Sequence, residues 1–286
     1  MSVQMVQQRL EAYQCRTALE EEHAVREITQ EIVLAALGRG EFFKQALFQG
    51  GTCLRIFHGL SRFSEDLDFI LREPNPDFRL REHIQHLTDE LSAFGYQIEI
   101  TDRANVETAV QTAFLKDSSL GRLIELRQAD RSGPLRKIRI KLEVDTNPPA
   151  GSGAALEYVD FPFVSAVATQ DMPSLFAGKM HALLCRKQVK GRDWYDFIWY
   201  TGRRIGVNET FLSAAIEQLG PWQGQSVAAD KAWMLKALEG KIAAIDWKQA
   251  ANDARPFVRA NEHPSLALWS QDLFLRQLHK WADASA

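Results

Sequence analysis

The sequence is poor in cysteine and carries no surplus of charge of either sign. Its three cysteines, Cys15, Cys53 and Cys185, are odd in number, far apart and without a CxxC pair. That excludes a disulfide-stapled scaffold and a cysteine-based zinc or redox site, and the three read as reduced thiols inside a cell. Lys and Arg total 34 against 37 Asp and Glu, a formal charge of −3, which excludes a polybasic protein that coats nucleic acid by bulk charge. No stretch approaches the roughly 18 apolar residues of a membrane span, and the segment MSVQMVQQRLEAYQ lacks the basic and apolar regions of a secretion signal. A cytoplasmic protein with no membrane partner is expected. HExxH, GxSxG and GxxxxGK[ST] are all missing, which argues against a zinc protease, a serine hydrolase and a P-loop ATPase.

What is present is a composition of 45% hydrophobic and 25% charged residues, ordinary for a chain with a well-filled core. A length of 286 residues favours two domains. Residues 17–37 carry Val25, Ile28, Ile32 and Ala36 at helical steps, with Gly38 and Gly40 beyond. Ala46 to Phe48 reads as a short strand, Gly50 and Gly51 as a turn, and Thr52 to His58 as one or two helical turns. Asp66 to Leu71 reads as a strand with Asp66 and Asp68 on one face, and Asp77 to Phe94 as a helix. Tyr96–Thr101 and Val110–Lys116 are expected to be strands. Lys137 to Asp145 alternates most clearly, with Ile138, Ile140, Leu142 and Val144 facing one way and Lys137, Arg139, Lys141, Glu143 and Asp145 the other. After about residue 165 the composition turns helical. Pro173 opens one helix, Arg192 to about Tyr200 forms another, and glycines and prolines punctuate the rest. The expected fold is α+β, with a mixed-sheet domain and its N-terminal helix over residues 1–165 and a helical domain over 166–286.

The chemistry concentrates in QGGTCLRIFHGLSRFSEDLDFI, residues 49–70. Glycines between a strand and a helix let the backbone approach a ligand, and a helix N-terminus suits phosphate, so Gly50, Gly51 and Thr52 fit a phosphate cradle. Carboxylates two apart on a strand share a face about 6.5 Å apart and can chelate a divalent ion, especially when a third acid joins from a neighbouring strand. Glu143 and Asp145 are the natural suppliers of that third acid. Two clusters of Lys and Arg, within residues 116–141 and 179–204, could contact a polyanion, and such contacts weaken as salt rises.

These residues resemble the AbiEii/AbiGii-type nucleotidyltransferase toxins of the DNA polymerase β-like superfamily. GGT at 50–52 with RFSEDLDF at 62–69 is similar to the family's first motif and KLEVD at 141–145 to its acidic strand. Lys179 in AGKMHALLCR is similar to the third motif, and RDWYD at 192–196 to the fourth. The resemblance implies a nucleotidyltransferase-like sheet. It also implies catalytic roles for Asp66, Asp68, Lys179, Asp193, Asp196 and either Glu143 or Asp145. Asp66, Asp68 and Glu143 would hold magnesium or manganese; Gly50, Gly51, Thr52, Arg62, Ser64, Lys179 and Arg192 would bind substrate. The implied reaction moves a nucleoside monophosphate from an NTP to an acceptor hydroxyl. The leading acceptor is RNA, with the 3′ end of tRNA favoured, and the toxin role implies a cognate antitoxin. The alternatives are a small-molecule or protein acceptor, or a non-catalytic protein that binds nucleic acid or a partner. The enzymatic reading requires the early aspartate pair and the later acid to converge.

Overall fold

The computed structural model describes residues 2–94, 96–102, 119–128 and 136–284. The chain divides into two compact units, each with its own core. The first comprises Met1–Gly59, Phe63–Pro148 and Ala154–Thr169, and the second Leu60–Arg62, Pro149–Gly153 and Gln170–Ala286.

The first unit is built on a seven-stranded mixed sheet in the order β3-β4-β5-β2-β1-β7-β6. Its strands are β1 (Ala46–Gln49), β2 (Leu67–Leu71), β3 (Tyr96–Asp102), β4 (Ser119–Gln128), β5 (Arg136–Asp145), β6 (Ala154–Val159) and β7 (Ser165–Gln170). The β1/β2, β3/β4 and β4/β5 pairs are antiparallel, while β2/β5 and β1/β7 are parallel. The helices are α1 (Ser2–Glu11), α2 (Ala18–Arg39), α3 (Gly50–Phe57) and α4 (Leu80–Ala93). Thr17 caps α2, its hydroxyl accepting from the Glu20 amide. From His23 to Leu37 all but one residue of α2 is buried, including Glu27, Gln30 and Glu31. It is a core helix whose buried polar groups need partners: Glu31 pairs with Arg9 of α1, Glu27 with Arg55 and the Tyr13 hydroxyl, and Gln30 with the Ser64 and Glu65 carbonyls.

The second unit is helical: α5 (Met172–Cys185), α6 (Gly191–Gly202), α7 (Glu209–Gln218), α8 (Lys231–Ala243), α9 (Trp247–Ala254), α10 (His263–Leu266) and α11 (Gln271–Ala284). Asp171, Asn208, Asp230 and Asp246 cap α5, α7, α8 and α9, each accepting from the amide three residues on. The core is aromatic. Trp247 stacks on Phe274 at 3.8 Å and Phe176 on Tyr200 at 4.3 Å, while the Trp281 indole donates to the Ile205 carbonyl at 2.7 Å. A Cβ on Gly191 would lie 1.8 Å from the Ala250 carbonyl oxygen, so only glycine lets α6 start this close to α9.

The expected α+β class, with a mixed sheet, an N-terminal helix and a helical C-terminal part, is the one observed. Local differences have physical causes. β2 begins at Leu67, so Asp66 precedes the strand and only Asp68 lies on it. Its register with β1 runs from Leu71 to Asp68, where Gln49 ends the partner strand. α4 begins at Leu80 rather than Asp77, because the Asn75 side chain accepts from the Asp77 amide and holds a turn there. α1, β4, β6 and β7 had no counterpart in the sequence reading, and the expected strand Val110–Lys116 lies outside the described residues. Among the described residues, no helix is long and apolar enough to cross a membrane.

Candidate active site

Gly50 starts α3 at φ +81°, a conformation that glycine adopts without penalty, and Gln49 offers the helix no side-chain cap. A Cβ at Gly50 would stand 2.8 Å from Oδ2 of Asp68. The glycine therefore does two jobs: it turns the chain into the helix and leaves room for a carboxylate against the backbone. Thr52 is buried, and its hydroxyl donates to the Asp66 carbonyl, tying the helix start to the segment before β2. Gly51 is the residue between them, on the first turn of α3.

The parallel β2/β5 register sets Asp68 opposite Glu143 and Ile70 opposite Asp145. Residues paired in register share a face, so Asp68 and Glu143 are neighbours on the side away from buried Leu142 and Val144. Asp145 lies one pleat further along, and its Oδ1 accepts from the Asn147 amide in the turn that leaves β5. Of the two acids that the motif left open, Glu143 is the one paired in register with Asp68. Lys141, two residues earlier on the same face, donates from Nζ to Glu143. Burial works against its charge, but the Glu143 contact, together with the charges of Asp66 and Asp68, outweighs this and raises the Lys141 pKa. As a donor set, Asp66, Asp68 and Glu143 are hard carboxylate oxygens suited to magnesium, with the Gly50 backbone cleared of a side chain beside one of them. Among the described residues, no group of three or more His, Cys, Asp or Glu is drawn tightly enough to hold a metal ion as it stands.

The segment carrying Ser64 is positioned from α2. Gln30, fully buried, donates from Nε2 to the carbonyls of Ser64 at 3.3 Å and Glu65 at 2.8 Å. Arg26 pairs with Glu65 at 3.0 Å, His23 stacks on Phe63 at 4.8 Å, and Arg55 lies over the same ring while pairing with Glu27 at 2.7 Å. These contacts explain why α2 carries so many buried polar residues. The sequence held a signal for them in the Glu and Gln positions that interrupt an apolar helix.

In the helical unit, the other motif residues form a buried ion network. Arg62 is 2% exposed and grips Asp196, itself fully buried, through two bonds of 2.6 Å, from Nε to Oδ1 and from Nη2 to Oδ2. Lys179 Nζ bridges Asp193 at 2.6 Å and Asp196 at 2.8 Å, and Arg186 reaches Asp193 at 2.9 Å. Burial alone would raise the Asp193 pKa, but the ammonium of Lys179 and the guanidinium of Arg186 hold it well below the usual carboxylate range. Arg192 lies over the Phe257 ring at 4.0 Å. Beside this network, Ser61, Tyr195 and Glu262 bond one another at 2.6–3.1 Å, and burial is the main cause that pushes the Tyr195 phenol up to about 12.

Of the basic clusters, Lys187, Lys190, Arg203 and Arg204 are exposed in the helical unit. In the other cluster, Lys116 and Arg131 lie outside the described residues, as do the side chains of Arg122, Arg127, Arg136, Lys137 and Arg139.

The glycine turn at Gly50, the start of α3 and the facing Asp68 and Glu143 on the parallel β2/β5 pair make up the candidate site. The sequence matches the family described as "Nucleotidyl transferase AbiEii toxin, Type IV TA system" over residues 32–277. The chain belongs to this family and is a nucleotidyltransferase of the type IV toxin–antitoxin class. Two solved structures are similar. One is described as a "putative nucleotidyltransferase from H. pylori", at 14% identity over 90% of each chain with a TM-score of 0.48. The other is JHP933 from Helicobacter pylori, at 12% identity over 93% of this chain and 90% of that one, with a TM-score of 0.47. No curated protein matches the sequence.

Proposed function

We propose that the protein transfers a nucleoside monophosphate from an NTP to a hydroxyl of RNA in a divalent-metal-dependent reaction, with the 3′ end of tRNA as the favoured acceptor. The observation that carries this reading is the in-register pairing of Asp68 with Glu143 beside Gly50, with Asp66 just ahead of the strand. Asp66, Asp68 and Glu143 would hold magnesium, or manganese in its place, and Asp145 supports the turn behind them. When bound, the ion supplies charge neutralisation at the phosphates and polarisation of the attacking hydroxyl. The chain's own contribution is positioning. The uncapped start of α3 at Gly50, Gly51 and Thr52 directs backbone N–H groups at phosphate oxygens, and Ser64 is steadied near them by Gln30. Lys179 is the cation for the leaving pyrophosphate, with Asp193 and Asp196 orienting its ammonium. Arg62 acts through Asp196, and Arg192 lies in the first turn of the helix that carries Asp196.

An RNA acceptor is supported by the exposed bases around Lys187, Lys190, Arg203 and Arg204, which would meet a polyanion with a salt-dependent contact. A cytoplasmic setting and a cognate antitoxin accompany this reading. The test mixes purified protein with tRNA, magnesium and each labelled NTP in turn. Label should enter the RNA and be lost with Asp68→Asn. No label on RNA, together with full toxicity on expression, refutes the reading, and label transferred without RNA would identify a small-molecule or protein acceptor instead.

A further inference from the structure

The acid face carries a cation of its own. Lys141 is the residue of the KLEVD run that the motif reading left without a role. It is two positions from Glu143 on one strand, so both side chains leave the same face of the sheet. Its ammonium contacts Glu143, the register partner of Asp68, and the charges of Asp66 and Asp68 also act on it. Lys141 and Glu143 keep only 28% and 25% of their side-chain surface exposed, so the contact is less screened than an ion pair at the open surface.

We propose that Lys141 is the resident counter-cation of the acid face: its ammonium holds Glu143 beside Asp68 in the metal-free enzyme, and a divalent ion must displace it from Glu143 in order to bind. This rests on the metal reading above. Three carboxylates on adjoining segments repel one another, and a tethered ammonium relieves that repulsion at the expense of metal affinity. The lysine thereby sets how much divalent ion the enzyme needs before the third carboxylate becomes a ligand. An ammonium is suited to this because it is a compact charge on a flexible stem, able to leave one carboxylate without disturbing the strand that carries it.

The test is a Mn²⁺ titration of the full chain without nucleotide, followed by electron paramagnetic resonance of the free ion, for the wild type, K141M, K141Q and D68N. The two neutral variants should bind Mn²⁺ about tenfold more tightly, equivalent to ~1.4 kcal/mol, and D68N should lose the site. In the presence of chelator K141M should melt below the wild type, and saturating Mn²⁺ should close that gap. If D68N loses the site while K141M and K141Q bind as the wild type does, or more weakly, the counter-cation role is refuted and the metal reading stands. Should none of the four chains bind Mn²⁺ saturably, both are refuted. K141Q keeps the test decisive if K141M fails to fold.

Discussion

Replacing Asp196 with asparagine would remove the charge that balances Arg62 while leaving the side-chain volume in place. Arg62 and Asp196 are 2% and 0% exposed and joined by two bonds of 2.6 Å, and Lys179 adds a contact of 2.8 Å to the same carboxylate. Breaking a buried pair by neutralising one partner leaves an uncompensated ion in a poor solvent for it, at a cost of ~3–5 kcal/mol. At roughly 4 °C per kcal/mol for a unit of this size, the melting point should fall by about 12–20 °C. Urea unfolding followed by tryptophan fluorescence isolates the effect, because all seven tryptophans lie between Trp194 and Trp281 and so report the helical unit alone. The midpoint should drop with the slope unchanged. The double variant Arg62→Met with Asp196→Leu should recover most of the loss, since an apolar pair of similar volume removes both ions together. A loss below about 1 kcal/mol for Asp196→Asn would refute the reasoning, because that is the range of a surface ion pair.

Two further expectations follow from the same geometry. The Asp193 carboxyl is held below its ordinary range in the folded chain, so its contribution to stability is present above the unfolded value of roughly 4 and is lost as pH falls below it. The tryptophan-monitored urea midpoint should therefore stay level from pH 7 to about 5 and decline below ~4, and a midpoint that rises on acidification would contradict this. Gly50→Ala combines a left-handed backbone with a Cβ placed 2.8 Å from Asp68 Oδ2, so it should cost about 1–2 kcal/mol of stability. Because it displaces an acid of the proposed site, label transfer should fall on the order of 100-fold, measured beside the melting curve. Unaltered transfer would show that Asp68 need not sit against that backbone.

Strand β5 was readable because its apolar and polar residues alternate without a break, and α2 because of its helical spacing and the glycines after it. The helix carrying RDWYD was likewise evident, with Trp194 and Phe197 on its buried side. β6 and β7 escaped notice. β6 is an edge strand on which Leu156 and Tyr158 stay exposed, so its pattern does not divide into one apolar and one polar face. β4 contributes Leu123, Ile124 and Leu126, a spacing that serves a helix as readily as a strand, and its pairing with β3 and β5 decides the matter.

The sequence by itself determined the local elements that carry the motifs and the order in which acid, lysine and second acid pair occur, because periodicity and turn chemistry act over a few residues. Tertiary structure alone decided which groups became partners. The β2/β5 register set Glu143, rather than Asp145, beside Asp68, and the fold delivered Arg62 to Asp196 across 134 positions and Arg192 to the Phe257 ring. Charges choose partners by distance and by the burial they share, and both are properties of the folded chain.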